Sequence, residues 1–108
     1  MKKIYLSLDE MDLGYLIEDK KAFVFVANEE GVNSAQEKNP IAMQFFSLNR
    51  TGKKVFLKMP HTFSQFLITD SRKDLMLKAN IDDEDSQFEK LFKLAELNLM
   101  KINFRIHK

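Results

Sequence analysis

His61 and His107 are the only imidazoles in the chain. A histidine general base works with a nucleophile that it can reach and a carboxylate that orients it. No spacing here sets up such a trio. His61 follows Pro60 at the expected entry to a helix, and His107 is expected on the solvent face of the last strand. The run Asp82-Asp83-Glu84-Asp85 is the one candidate for a hard cation such as calcium, which takes about six to eight oxygens from a loop turned sharply by glycine. Residues 80–86 contain no glycine and lack the alternation of an EF-hand loop, so the run reads as a solvated cluster capping a helix. Gly14, Gly31 and Gly52 stand too far apart to form a phosphate cradle. With no cysteine there is no disulfide framework, thiolate nucleophile or zinc ribbon. The expectation is a protein that is no enzyme, with no catalytic residue, cofactor or metal.

What remains is surface. The run Phe63-Ser64-Gln65-Phe66-Leu67-Ile68-Thr69-Asp70-Ser71-Arg72 puts two aromatics on one helical face, then a polar break, then an arginine. Phe63, Phe66, Leu67 and Ile68 make this turn more apolar than one buried stripe requires. It reads either as core or as a surface that docks on another chain. Phe63 is the residue expected to face inward.

Composition narrows the rest. The 108 residues suffice for one domain, 1–108, with a single modest core. A hydrophobic fraction of 44% with 31% charged residues is that of a folded globular chain, which speaks against disorder. The net charge of +1 argues against direct binding to nucleic acid, and the pairs Lys2-Lys3, Lys20-Lys21 and Lys53-Lys54 read as solvated faces. No apolar stretch approaches the ~20 residues that span a bilayer, and no signal-peptide core opens the chain, so a cytoplasmic protein without a membrane partner is expected. Ten Phe, two Tyr and no Trp mean that most rings have no polar handle and must be buried in the core or against a partner.

The elements follow from period. Ile4, Leu6 and Leu8 alternate with polar neighbours, which predicts a strand. A second strand over Leu13–Glu18 puts Leu13, Tyr15 and Ile17 on one face, with Gly14 marking a bulge or a close backbone approach. Ala22–Ala27 is apolar on both sides and is expected at the sheet centre. Asn28–Asn39 reads as a short helix or loop ending before Pro40. Ile41–Leu48 and Val55–Leu57 read as strands joined in a hairpin by Asn49-Arg50-Thr51-Gly52. Then the period changes. Thr62-x-x-Gln65 offers a capping box, Ser71-x-x-Asp74 a start for a helix over Arg72–Ala79, and Ser86-x-x-Glu89 the best cap of all, opening a helix with Phe88, Leu91, Phe92 and Ala95. Met100, Ile102, Phe104 and Ile106 predict a closing strand. The fold class is therefore α+β: a small curved, barrel-like antiparallel β-sheet, then a helical segment and a closing C-terminal strand.

Taken in order, these landmarks resemble the amino-terminal subdomain of HipA-type serine/threonine kinase toxins. Leu13-Gly14-Tyr15-Leu16 matches that module's glycine turn, Phe23-Val24-Phe25-Val26 its aromatic strand, and Asn39-Pro40-Ile41-Ala42-Met43 its proline-led strand. Phe63-x-x-Phe66-Leu67 matches its phenylalanine-led helix. Ile68-Thr69-Asp70-Ser71 then stands in place of a leucine-proline-glutamate-glycine type loop, followed by Arg72. Phe88–Leu94 and Met100–Ile106 match the closing helix and strand.

The chain carries no kinase lysine, catalytic aspartate or metal-binding aspartate motif. It is thus similar to the separately encoded HipS-like proteins of three-gene HipB–HipS–HipT systems. The resemblance implies an antitoxin or accessory subunit that binds a HipT-like kinase toxin in trans and restrains it, in a possible ternary complex with a HipB-like helix-turn-helix repressor. It places the partner contact on Phe66, Ile68, Thr69, Asp70, Ser71 and Arg72. Family members can carry a bulky aromatic plug in this loop; Ser71 and Arg72 stand there instead, which favours docking over plugging. The alternatives are a structural subunit that assembles kinase and repressor without direct inhibition, and an unrelated ligand-binding α+β domain.

Overall fold

Strand β1, Ile4–Leu8, turns through Asp9, whose positive φ of 54° closes a tight connection, into β2, Met11–Asp19. The pair is antiparallel, with Leu6 opposite Gly14 but Ser7 opposite Asp12. Leu13 is therefore an extra residue, a β-bulge that flips the inward side of the strand. Leu13 and Leu16 are both fully buried, while Tyr15 and Ile17 point to the other face and are half-exposed. The expected face of Leu13, Tyr15 and Ile17 is corrected by that bulge. The structure, a computed structural model, describes residues 2–67, 80–82, 84–101 and 103–108. The expected helix over 72–79 lies outside them.

A turn at Lys20 leads into β3, Ala22–Ala27, which pairs antiparallel with β2. Its Phe23 and Phe25 enter the core, and Val24 and Val26 lie half-buried on the opposite face. Asn28 then caps α1, Glu29–Lys38, its side-chain oxygen accepting from the Gly31 amide at 3.1 Å. A Cβ on Gly31 would stand 1.5 Å from the Asp12 carbonyl oxygen, so only glycine lets α1 approach the bulge of β2 so closely.

The segment expected as a strand over 41–48 is not one. Asn39 accepts from the Ala42 amide at 3.2 Å and Pro40 takes the first helical position, which starts the short helix α2, Pro40–Met43. Asn-cap plus proline outweighs the alternation of apolar residues because proline's fixed φ suits a helix start and it lacks an amide for a sheet ladder. Phe46 and Leu48 then drop into the core from irregular chain. The turn ending at Gly52, φ 66°, feeds β4, Lys53–Phe56, which pairs with β3 and not with the 41–48 segment.

Helix α3, His61–Ser64, runs into a 3-10 turn, Gln65–Leu67. Pro60 stands at its N-cap, so the Thr62/Gln65 capping box does not form. Instead Gln65 donates to the Thr62 carbonyl at 2.8 Å, and the Thr62 and Ser47 hydroxyls pair at 2.9 Å. Helix α4, Gln87–Ala95, has the expected cap: Ser86 accepts from the Glu89 amide at 3.2 Å. Its Phe88, Leu91, Leu94 and Ala95 are buried.

The closing segment is a hairpin, β5, Met100–Lys101, and β6, Phe104–His107, around Asn103 with φ 67°. β6 pairs with β1, so the two ends of the described chain meet inside the sheet. The six strands run in the order β4-β3-β2-β1-β6-β5, each neighbour antiparallel. The α+β class holds, but among the described residues the sheet is open: β4 and β5 end it without meeting, so it does not close into a barrel, and β3 lies one strand from an edge. Strand and helix residues share one core, in which the Phe25 ring lies 6.1 Å from Phe46 and 6.0 Å from Phe63.

Candidate partner-binding surface

Of the expected contact residues, Phe66 is fully buried, as is Phe63. Phe63 lies in α3 and Phe66, three residues on, in the 3-10 turn that continues it, so the two share a face and enter the core together. Phe66 is a core residue of this chain and not an exposed anchor, which corrects its assignment as one. Ile68, Thr69, Asp70, Ser71 and Arg72 lie outside the described residues.

Among the described residues, the large apolar side chains that stand in solvent lie elsewhere. Ile41 is 72% exposed, Phe45 60%, Val55 62% and Leu57 85%; Met100, 51%, is the fifth. Ile41 and Phe45 are four apart, one above the other along α2 and its continuing turn. Val55 and Leu57 belong to β4 and its extension. All four fall between Asn39 and Thr69, a stretch with no aspartate or glutamate but with Arg50, Lys53, Lys54 and Lys58. That missing stretch of carboxylates was the signal available in the sequence. Reading 41–48 as one strand of a hairpin hid it, because the helix that exposes Ile41 and Phe45 was not expected there.

β4 also presents a free edge. The Ala27 amide donates to the Gly52 carbonyl at 2.9 Å, one register step beyond the Val26–Lys53 pair. Hydrogen-bonded and non-bonded pairs alternate along an antiparallel ladder. Phe25–Lys54 and Phe23–Phe56 are therefore the bonded pairs, and the amides and carbonyls of Lys53 and Val55 point away from the sheet. Among the described residues nothing pairs with them. The Lys54 ammonium folds over the Phe56 ring, 5.2 Å from its centre.

A second feature was not legible beforehand. On the outward sheet face the Ser7 hydroxyl and His107 Nε2 are 3.0 Å apart, and Nδ1 is 3.2 Å from the Lys108 backbone oxygen. That oxygen can only accept, so Nδ1 donates, and in the neutral ring Nε2 accepts from Ser7. The Tyr5 ring stacks on His107 at 5.5 Å and meets Tyr15 at 5.6 Å, while the Lys3 ammonium covers Tyr15 at 4.6 Å. Ser7 and His107 line a hollow of about 380 Å³ with Asp9, Glu10, Asn98 and Arg105. A serine paired with an oriented histidine is half of a nucleophilic site.

The acidic run is tied into α4. Asp85 accepts from Lys93 at 2.6 Å and from the Asp82 amide at 3.0 Å, which together hold its carboxyl below the usual range. The same contact raises Lys93. Among the described residues no group of three or more His, Asp or Glu is arranged to hold a metal ion, and no helix is long and apolar enough to cross a membrane. His61 lies exposed at the start of α3. No family model, no curated protein and no solved structure matches this chain.

Proposed function

We propose that this chain is a non-enzymatic binding subunit, a HipS-like antitoxin that docks in trans on a HipT-like serine/threonine kinase in the bacterial cytoplasm and restrains it. One observation carries the docking role: four large apolar side chains, Ile41, Phe45, Val55 and Leu57, stand in solvent within one carboxylate-free stretch of a small domain. Isolated exposed apolar residues are ordinary, but here they come in two pairs, Ile41 with Phe45 along α2 and its continuing turn and Val55 with Leu57 along β4 and its extension. Apolar pairs left in solvent suit an interaction surface. The identity of the partner rests on the order of sequence landmarks, from Leu13-Gly14-Tyr15-Leu16 to the closing Phe88–Leu94 segment.

The surface differs from the 66–72 segment that the resemblance singles out, of which Phe66 is buried and residues 68–72 lie outside the described residues. The test is co-expression with a HipT-like kinase. The parent chain is expected to co-purify with it and relieve its toxicity, with no added repressor. Co-purification without relief would favour the assembly-subunit alternative. Failure of the kinase to co-purify at all would remove the reading.

A further inference from the structure

We infer that the free edge of β4 is a strand-addition site for an acidic, extended polypeptide segment of the partner. The inference rests on the reading of this chain as a binding subunit and says how the contact is made. Three features of one strand converge on it.

The first is backbone. Lys53 and Val55 each aim an amide and a carbonyl away from the sheet, a half-ladder that an added strand completes. Natural proteins blunt such edges by covering, bulging or shortening them or by placing lysines on them. The short β4 carries Lys53 and Lys54, which oppose pairing with a like strand but suit an acidic one. Here the strand is straight in register with β3 over all four of its residues and uncovered among the described elements.

The second is side chains. Val55 stands in the row Val55–Val24–Ile17 across the outward sheet face, and Leu57 follows on the same side of the strand. An added strand would extend that aliphatic row, burying apolar groups on alternate residues while its backbone pairs.

The third is charge. Lys53 and Lys54 lie on the strand, Lys58 follows it and Arg50 precedes it, its guanidinium donating to Gln36 of α1, and no carboxylate stands in sequence between Asn39 and Thr69. None of the three ion pairs among the described residues involves these four. Two copies of β4 pairing with each other would bring these cations together, so self-association is disfavoured and an acidic strand favoured. A single-stranded nucleic acid would neutralise the charge but could not use the free amides and the bare aliphatic row, since nucleic-acid platforms present aromatic faces for stacking.

The probe is a blocked, extended peptide alternating glutamate and valine, compared with one alternating lysine and valine, followed by the backbone amide resonances of the folded chain. The glutamate peptide is expected to shift the Lys53 and Val55 amides and slow their exchange, and to bind at least tenfold tighter than the lysine peptide. Val55→Pro removes only an outward amide, leaving every β3 bond in place, and is expected to weaken binding at least tenfold in a chain that still melts as a folded domain. Val55→Ile keeps the amide, the β-branching and the aliphatic row and is the control that should retain most binding.

Equal binding of the two peptides, undiminished binding by the Val55→Pro chain, or tighter binding of oligothymidine or anionic lipid vesicles than of the glutamate peptide would each overturn the inference. The same variants separate it from the kinase reading. A kinase still captured equally by the Val55→Pro chain leaves that reading standing and overturns strand addition. Peptide binding with no kinase capture does the reverse.

Discussion

The Phe25 ring lies directly over Gly14 of the neighbouring strand: a Cβ at position 14 would sit 2.8 Å from Phe25 Cζ and 2.2 Å from the Val26 carbonyl oxygen. Gly14 also has φ 132°, a conformation that side chains rarely adopt. The bulge at Leu13 and the aromatic core of Phe25, Phe46 and Phe63 thus depend on one missing methyl group. Gly14→Ala is expected to destabilise the fold by about 3 kcal/mol, adding backbone strain to a steric clash. Urea titration of the parent and variant measures it; a midpoint unchanged within error would show that β2 can shift away at no cost.

The two phenylalanines that look alike in sequence should behave in opposite ways. Phe66→Ser empties a fully buried site and is expected to cost about 3–5 kcal/mol of stability. Phe45→Ser alters a ring that is 60% exposed and should leave the melting temperature within a degree or two. Kinase binding should respond the other way, with Phe45→Ser losing on the order of 2 kcal/mol, about thirtyfold in affinity. Arg72→Ala, in the loop that the resemblance assigns to the partner, is expected to weaken binding to a similar degree. A Phe45→Ser chain that binds like the parent would move the interface off this surface.

Asp85 and Lys93 give a pH signature. The folded pKa of Asp85 is depressed, so its contribution is present above the unfolded value of about 4 and is lost as pH falls through the folded value. The folded pKa of Lys93 is raised, so its contribution is present below about 10 and disappears as pH climbs through the folded value. Asp85→Asn should therefore lower the melting temperature at pH 7 and converge with the parent at strongly acid pH. A difference that stayed constant from pH 7 to pH 2 would mean that the variant acts through packing or the Asp82 turn, not through charge.

Ser7 and His107 serve the sheet in the proposed function, not catalysis. A fluorophosphonate probe is expected to leave Ser7 unlabelled under conditions that label an ordinary serine hydrolase. Ser7→Ala should cost about 1 kcal/mol in stability, the worth of one hydrogen bond, and leave kinase capture unchanged. Stoichiometric labelling of Ser7, lost in His107→Gln, would instead establish a nucleophilic pair.

The sequence by itself determined the elements whose signal is local. Alternation placed β1, the Ser86 cap placed α4, and the period change near residue 60 divided strands from helices, because each depends on residues within one or two turns of chain. The bulge beside Gly14 was legible as a possibility for the same reason. Tertiary structure alone decided the rest. Leu13 and Leu16 share a face only because β1 pairs across a bulge, which reverses the parity on which a period-two reading relies. Residues 41–48 are apolar enough to read as a strand, yet Asn39 and Pro40 start a helix, and Phe46 and Leu48 are buried in the common core, Phe46 against the Phe25 ring. Phe66 looked like a surface anchor because Phe63, Phe66, Leu67 and Ile68 together exceed one buried stripe, whereas α3 and the 3-10 turn that continues it bury both rings. The exposure of Phe45 and Val55, the free amides at the edge of β4, and the meeting of Ser7 with His107 all depend on which strand lies beside which. No local pattern encodes that order, since pairing partners far apart in sequence are chosen by the burial of the whole sheet at once.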